Sequence, residues 1–99
     1  MSFYDDHYAD MVMEETASKE AFEIGLNENE PQAIIDAIMS MFQTKTHFKG
    51  DAEKAQAILK TIARTGRVSD KQKRFLFVFL LKNDKAFGDR HDLLVQKCR

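Results

Sequence analysis

The chain has 99 residues, 43% of them apolar and 31% charged, with a net charge of −1. That balance predicts one folded, soluble domain and excludes a disordered chain. A single cysteine, Cys98, rules out an intrachain disulfide and suits a reducing, cytoplasmic setting, while the opening residues lack a basic-then-apolar leader and the longest apolar run, Phe75 to Leu81, is too short to span a membrane.

The near-zero net charge hides an asymmetry. Residues 1–43 carry ten acids against one base, Lys19, for a charge of −9, and residues 44–99 carry fourteen bases against six acids, for +8. Such a division points to nucleic acid, to an acidic partner, or to head-to-tail self-association. The plainer reading is that the acidic and basic halves face and neutralise one another in the fold.

The elements read as helices in chain order. The first is expected from about Tyr4 to Ile24, with Ala17, Ala21 and Ile24 at helical spacing and Gly25 as its stop. Leu26 to Glu30 reads as a polar connection. Pro31 suits the first position of a second helix, where its missing N–H would have no partner anyway, and Ile34, Ile35, Ile38, Met39 and Phe42 form that helix's buried stripe. After a loop over Thr44 to Gly50, Asp51 can cap a third helix whose Ala55, Ile58, Leu59, Ile62 and Ala63 fit the apolar template, with Gly66 ending it.

Ser69 and Gln72 have the spacing of a capping box and predict a fourth helix over about 70–82. Its run Phe75 to Leu81 also suits a strand buried on both faces, but the chain offers no convincing partner strand, and a lone strand leaves its backbone unsatisfied. A helix apolar all round belongs at a bundle centre, and in so short a chain incomplete cover would leave a homodimer surface or a partner groove. After a connection over Asn83 to Gly88, Asp89 is expected to cap a short last helix carrying Leu93, Leu94 and Cys98. The fold class is therefore all-α, a small bundle of four to five helices around a central apolar helix.

No catalytic apparatus is legible. The histidines His7, His47 and His91 are scattered, no cysteine pair has zinc spacing, and the four glycines stand alone, so no phosphate loop or nucleophile elbow exists. No cofactor and no metal are expected, and the chain reads as a non-enzyme. Asp6, Asp10 and Glu14 recur every four residues and would line one edge of the first helix, where like charges oppose the helix by roughly 0.2–0.5 kcal/mol per pair. They form either a solvated face or an acidic contact surface.

The positive constellation is sharper. Lys60, Arg64, Arg67, Lys71, Lys73 and Arg74 flank the turn between the third and fourth helices. Those at the end of the third helix suit its dipole, whereas Lys71, Lys73 and Arg74 oppose the dipole of the fourth by roughly 0.3–1 kcal/mol each. Cations gathered beside free N–H groups at a helix start suit phosphate or carboxylate. A partner surface, a nucleic-acid backbone, or the chain's own acidic helix could supply that anion. Sequence-specific reading of DNA is not expected, because Phe75 to Leu81 leave no polar recognition face, so any DNA contact would be to phosphates.

The stretch Ile62 to Gln72, with its Gly66 stop and Ser69–Gln72 box, resembles a helical hairpin of small accessory proteins from phages and mobile elements that act in DNA metabolism. The resemblance implies a protein that binds and modulates or inhibits a nucleic-acid-handling or defence complex. The expectation is thus a cytoplasmic interaction protein with a protein partner, direct sequence-independent nucleic-acid binding being the alternative.

Overall fold

The computed structural model describes residues 17–99, which hold five helices and no strand. They are α1 over residues 17–28, α2 Pro31–Thr44, α3 Ala52–Thr65, α4 Asp70–Asn83 and α5 Lys85–Cys98. The all-α bundle expected from the periodicity is the fold observed. No described helix is long and apolar enough to cross a membrane.

Helix α4 is the hub on which α2, α3 and α5 pack. Ile34 and Ile38 of α2 and Leu76 and Leu80 of α4 are fully buried and form the centre of the core. Phe77 and Phe79 are buried on other sides of α4, which is why its sequence is apolar nearly all round. The neighbouring helices cover it well enough that Val78, 39% exposed, is the large apolar side chain it leaves open. The apolar surface that the described residues leave open lies elsewhere.

Local signals explain most helix ends. Ser69 Oγ accepts from the Gln72 backbone N–H at 3.1 Å while Gln72 Oε1 accepts from the Ser69 N–H at 2.9 Å, completing the capping box. Asp51 Oδ1 caps α3 by accepting from the Lys54 N–H at 2.9 Å. Gly66 closes α3 with φ 69°, a left-handed conformation that an L side chain resists.

Two glycines that read as punctuation serve packing instead. Helix α1 runs through Gly25 to residue 28, and Leu26, expected in a polar connection, is 2% exposed in the core. Ala17, Ala21 and Gly25 recur every four residues and give α1 a flat face, and a Cβ at Gly25 would stand 3.0 Å from Phe77 Cζ. The true stop is Asn29, whose backbone N–H and side-chain Nδ2 both donate to Gly25 O, at 3.2 and 2.8 Å. Ile24, placed in the buried stripe by the sequence, is 39% exposed because that stripe passes through Gly25.

Likewise α5 begins directly after Asp84, whose Oδ1 accepts from the Phe87 N–H at 3.1 Å, so Asp84 and not Asp89 is its cap. Gly88 lies inside this helix. A Cβ there would meet Leu81 O at 3.2 Å, so glycine lets α5 fold back closely on the end of α4.

Candidate functional site

Helices α2 and α3 both lie on α4, and between them runs an open groove of about 700 Å³. Its walls are Ile35, Met39 and Phe42 from α2 and Leu59, Ile62 and Ala63 from α3, and Pro31, Gly66 and Val68 line it as well. Its polar lining consists of Gln32, Gln43 and Gln56 with the single cation Lys60, and no carboxylate is among them.

The groove exists because both helices are wider in apolar surface than the core can accept. On α2 the deep positions are Ile34, Ile35, Ile38 and Met41, so Met39, expected in the buried stripe, is rotated outward and is 51% exposed. Of the five α3 positions expected in the core, Ala55 and Ile62 are buried, Ile58 and Leu59 are half-buried and Ala63 is exposed. An open apolar surface rimmed by polar groups is the usual mark of a contact site.

The six cations of the sequence-predicted site divide in two. Arg74 is consumed internally: its Nη1 and Nη2 donate to Glu23 Oε1 and Oε2 at 2.5 and 3.0 Å, and its Nε donates to Asp70 Oδ2 at 2.8 Å. The hydrogen bond to Glu23, followed by that to Asp70, holds its pKa above the usual guanidinium range. Lys73 Nζ donates to Leu26 O at 2.7 Å, placing a cation at the negative end of the α1 dipole. The acidic first helix thus answers part of the charge at the start of α4, and the capping box already occupies one of the N–H groups there.

Lys60, Arg64, Arg67 and Lys71 are exposed, and their side chains make no ion pair with a described residue. Lys60 and Arg64 stand one turn apart on the groove edge of α3, the edge that also carries Gln56 and Ala63. The acidic residues Asp6, Asp10 and Glu14 lie outside the described residues.

The loop over residues 45–51 joins the two groove walls, and nothing in the sequence marks its anchor. Asn83, 7% exposed, accepts through Oδ1 from the Lys49 N–H at 2.7 Å, and its Nδ2 donates to Lys49 O at 2.9 Å and Phe79 O at 2.8 Å. Lys45 Nζ donates to the Asn83 carbonyl. Phe48 of the same loop sits against Phe42 and Phe79, with ring centroids 4.9 and 5.9 Å away. A turn residue ending an apolar helix gives no hint of such a clamp.

A second cleft, of about 480 Å³, lies beside this loop and gathers Lys45, Lys49, Lys82 and Lys85 with His47, opposed by Asp84, Asp89 and Asp92. His91 lines different clefts, beside Arg90 and Arg74, and Cys98 lines none of these. Among the described residues no group of three His, Cys, Asp or Glu side chains could hold a metal ion.

Comparison of the chain with family models, with curated proteins and with solved structures finds no match.

Proposed function

We propose that this chain is a non-enzymatic interaction protein that holds a protein partner through the α2–α3 groove and the cations beside it. The observation that carries this reading is an apolar trough left open by the described residues, with Lys60 in its lining and Arg64, Arg67 and Lys71 on the adjoining α3–α4 hairpin, none of them engaged by a described carboxylate. Apolar contact supplies affinity in such sites, and rim charge supplies orientation and speed of encounter. The resemblance of residues 62–72 to phage and mobile-element accessory proteins suggests the setting: a cytoplasmic nucleic-acid-handling or defence complex that this chain modulates or inhibits.

A photoreactive amino acid at Met39, introduced in the producing cells, tests the reading. One discrete protein adduct is expected at Met39 and none at Gln96, an exposed position on α5. Equal labelling at the two positions, or none at either, would remove the groove from consideration.

The exposed cations also keep a second reading alive, that of phosphate contact with nucleic acid. It predicts an affinity for labelled DNA or RNA that falls steeply with salt and disappears when Lys60, Arg64, Arg67 and Lys71 become Ala. With Lys73 and Arg74 engaged internally, no more than four of the six cations are open to phosphate, which favours the protein partner. Absence of binding at low salt would eliminate the nucleic-acid reading.

A further inference from the structure

We infer that the occupant of the α2–α3 groove is an acidic amphipathic helix of about three turns, an inference that rests on the protein-binding reading above. Length comes first. The lining runs from Pro31 to Gln43 on one wall and from Gln56 to Gly66 on the other. At about 1.5 Å per residue these walls are roughly 18 and 15 Å long, so an occupant helix of about ten to twelve residues fills the trough.

Secondary structure comes next. Both walls are helices whose backbone groups are already bonded within themselves, and the described residues contain no sheet edge that could accept an added strand. A partner must therefore be recognised through side chains, which is how an amphipathic helix is held, by apolar anchors at i, i+3 or i+4, and i+7. Met39 is half-exposed, unbranched and polarisable, and adapts its shape to such anchors.

Charge decides the rest. The groove lining carries Lys60 and no carboxylate, and Arg64 continues the same edge one turn on. An acidic flank on the incoming helix meets Lys60 and Arg64 on this edge, where a basic one is repelled, while Asp36 on the opposite wall is bonded to Gln32 Nε2 at 2.8 Å. The floor of Ile35, Leu59 and Ile62 offers a phosphate backbone nothing, so a peptide suits it better than nucleic acid.

The test pans the full chain against a displayed library of random helical peptides about fourteen residues long, a little over the groove length. Enriched sequences are expected to carry net negative charge with apolar residues at helical spacing. Their affinity should fall about tenfold or more in the Lys60→Glu, Arg64→Glu double variant, chiefly through slower association. Ala63→Trp, at an exposed wall position, should block binding outright while circular dichroism confirms the helix content.

Enrichment of neutral or basic peptides, or acidic peptides indifferent to both variants, would overturn the inference. So would a concentration-dependent dimer in sedimentation that Ala63→Trp abolishes, because the occupant would then be a second copy of this chain. If the inference fails while Met39 still yields its discrete protein adduct, the protein-binding reading stands and only the chemistry assigned to the partner falls.

Discussion

Removing the Asn83 side chain should loosen the loop that joins the two groove walls. Asn83→Ala deletes three hydrogen bonds, two to Lys49 and one to Phe79. At about 1 kcal/mol net per bond the ceiling is about 3 kcal/mol. Lys49 is exposed, so water can replace part of its loss, and Phe79 O keeps its helical partner, which brings the expected loss to about 2 kcal/mol. For a domain of this size that lowers the melting temperature by about 10 °C.

The Asn83→Asp variant sharpens the test, because it keeps the shape and removes the donor. One oxygen can still accept from the Lys49 N–H, but the other must face the carbonyl oxygens of Lys49 and Phe79. That environment raises the carboxyl pKa in the folded state above its unfolded value of about 3.9. The penalty relative to wild type is therefore full above the folded-state pKa and shrinks below the unfolded one, where the acid is protonated in both states and its single O–H can donate to one of the two carbonyls. Thermal melts followed at 222 nm, in parallel with wild type at neutral and acidic pH, measure both effects. Agreement of Asn83→Ala with wild type to about 2 °C, or an Asn83→Asp penalty insensitive to pH, would refute the clamp as described.

Two further substitutions probe the helix junctions. Gly88→Ala would stabilise an open helix position by about 1 kcal/mol, yet here its methyl meets Leu81 O at 3.2 Å and the melting temperature should fall; a rise would mean that α5 can slide off α4 at little cost. Ser69→Ala removes the acceptor for the Gln72 N–H and should destabilise the fold by about 0.5–2 kcal/mol in a urea titration, with Gln72→Ala adding less than its separate effect in the double variant because the two bonds form one cap.

Helix type and most helix ends were written locally. The Ser69–Gln72 box, Asp51, Pro31 and Gly66 act within a few residues of themselves, through backbone groups that any tertiary setting leaves needing a partner, so each was legible as it stands. Gly25 and Gly88 were misleading for the opposite reason. Their role is to admit Phe77 and the Leu81 carbonyl, which are distant or on another helix, and a glycine needed for close approach looks in sequence like a glycine needed for a turn.

The candidate site divides along the same line. That Lys60 through Arg74 form a cationic hairpin followed from spacing, but which cations are available was decided only when Glu23 of α1 reached Arg74 and the end of α1 reached Lys73. The groove was visible in sequence only as apolar residues, Met39, Leu59 and Ala63, assigned to the core. Periodicity states which face of a helix is apolar; how much of that face a neighbour covers depends on how α2 and α3 are set on α4, a property of the packed molecule alone.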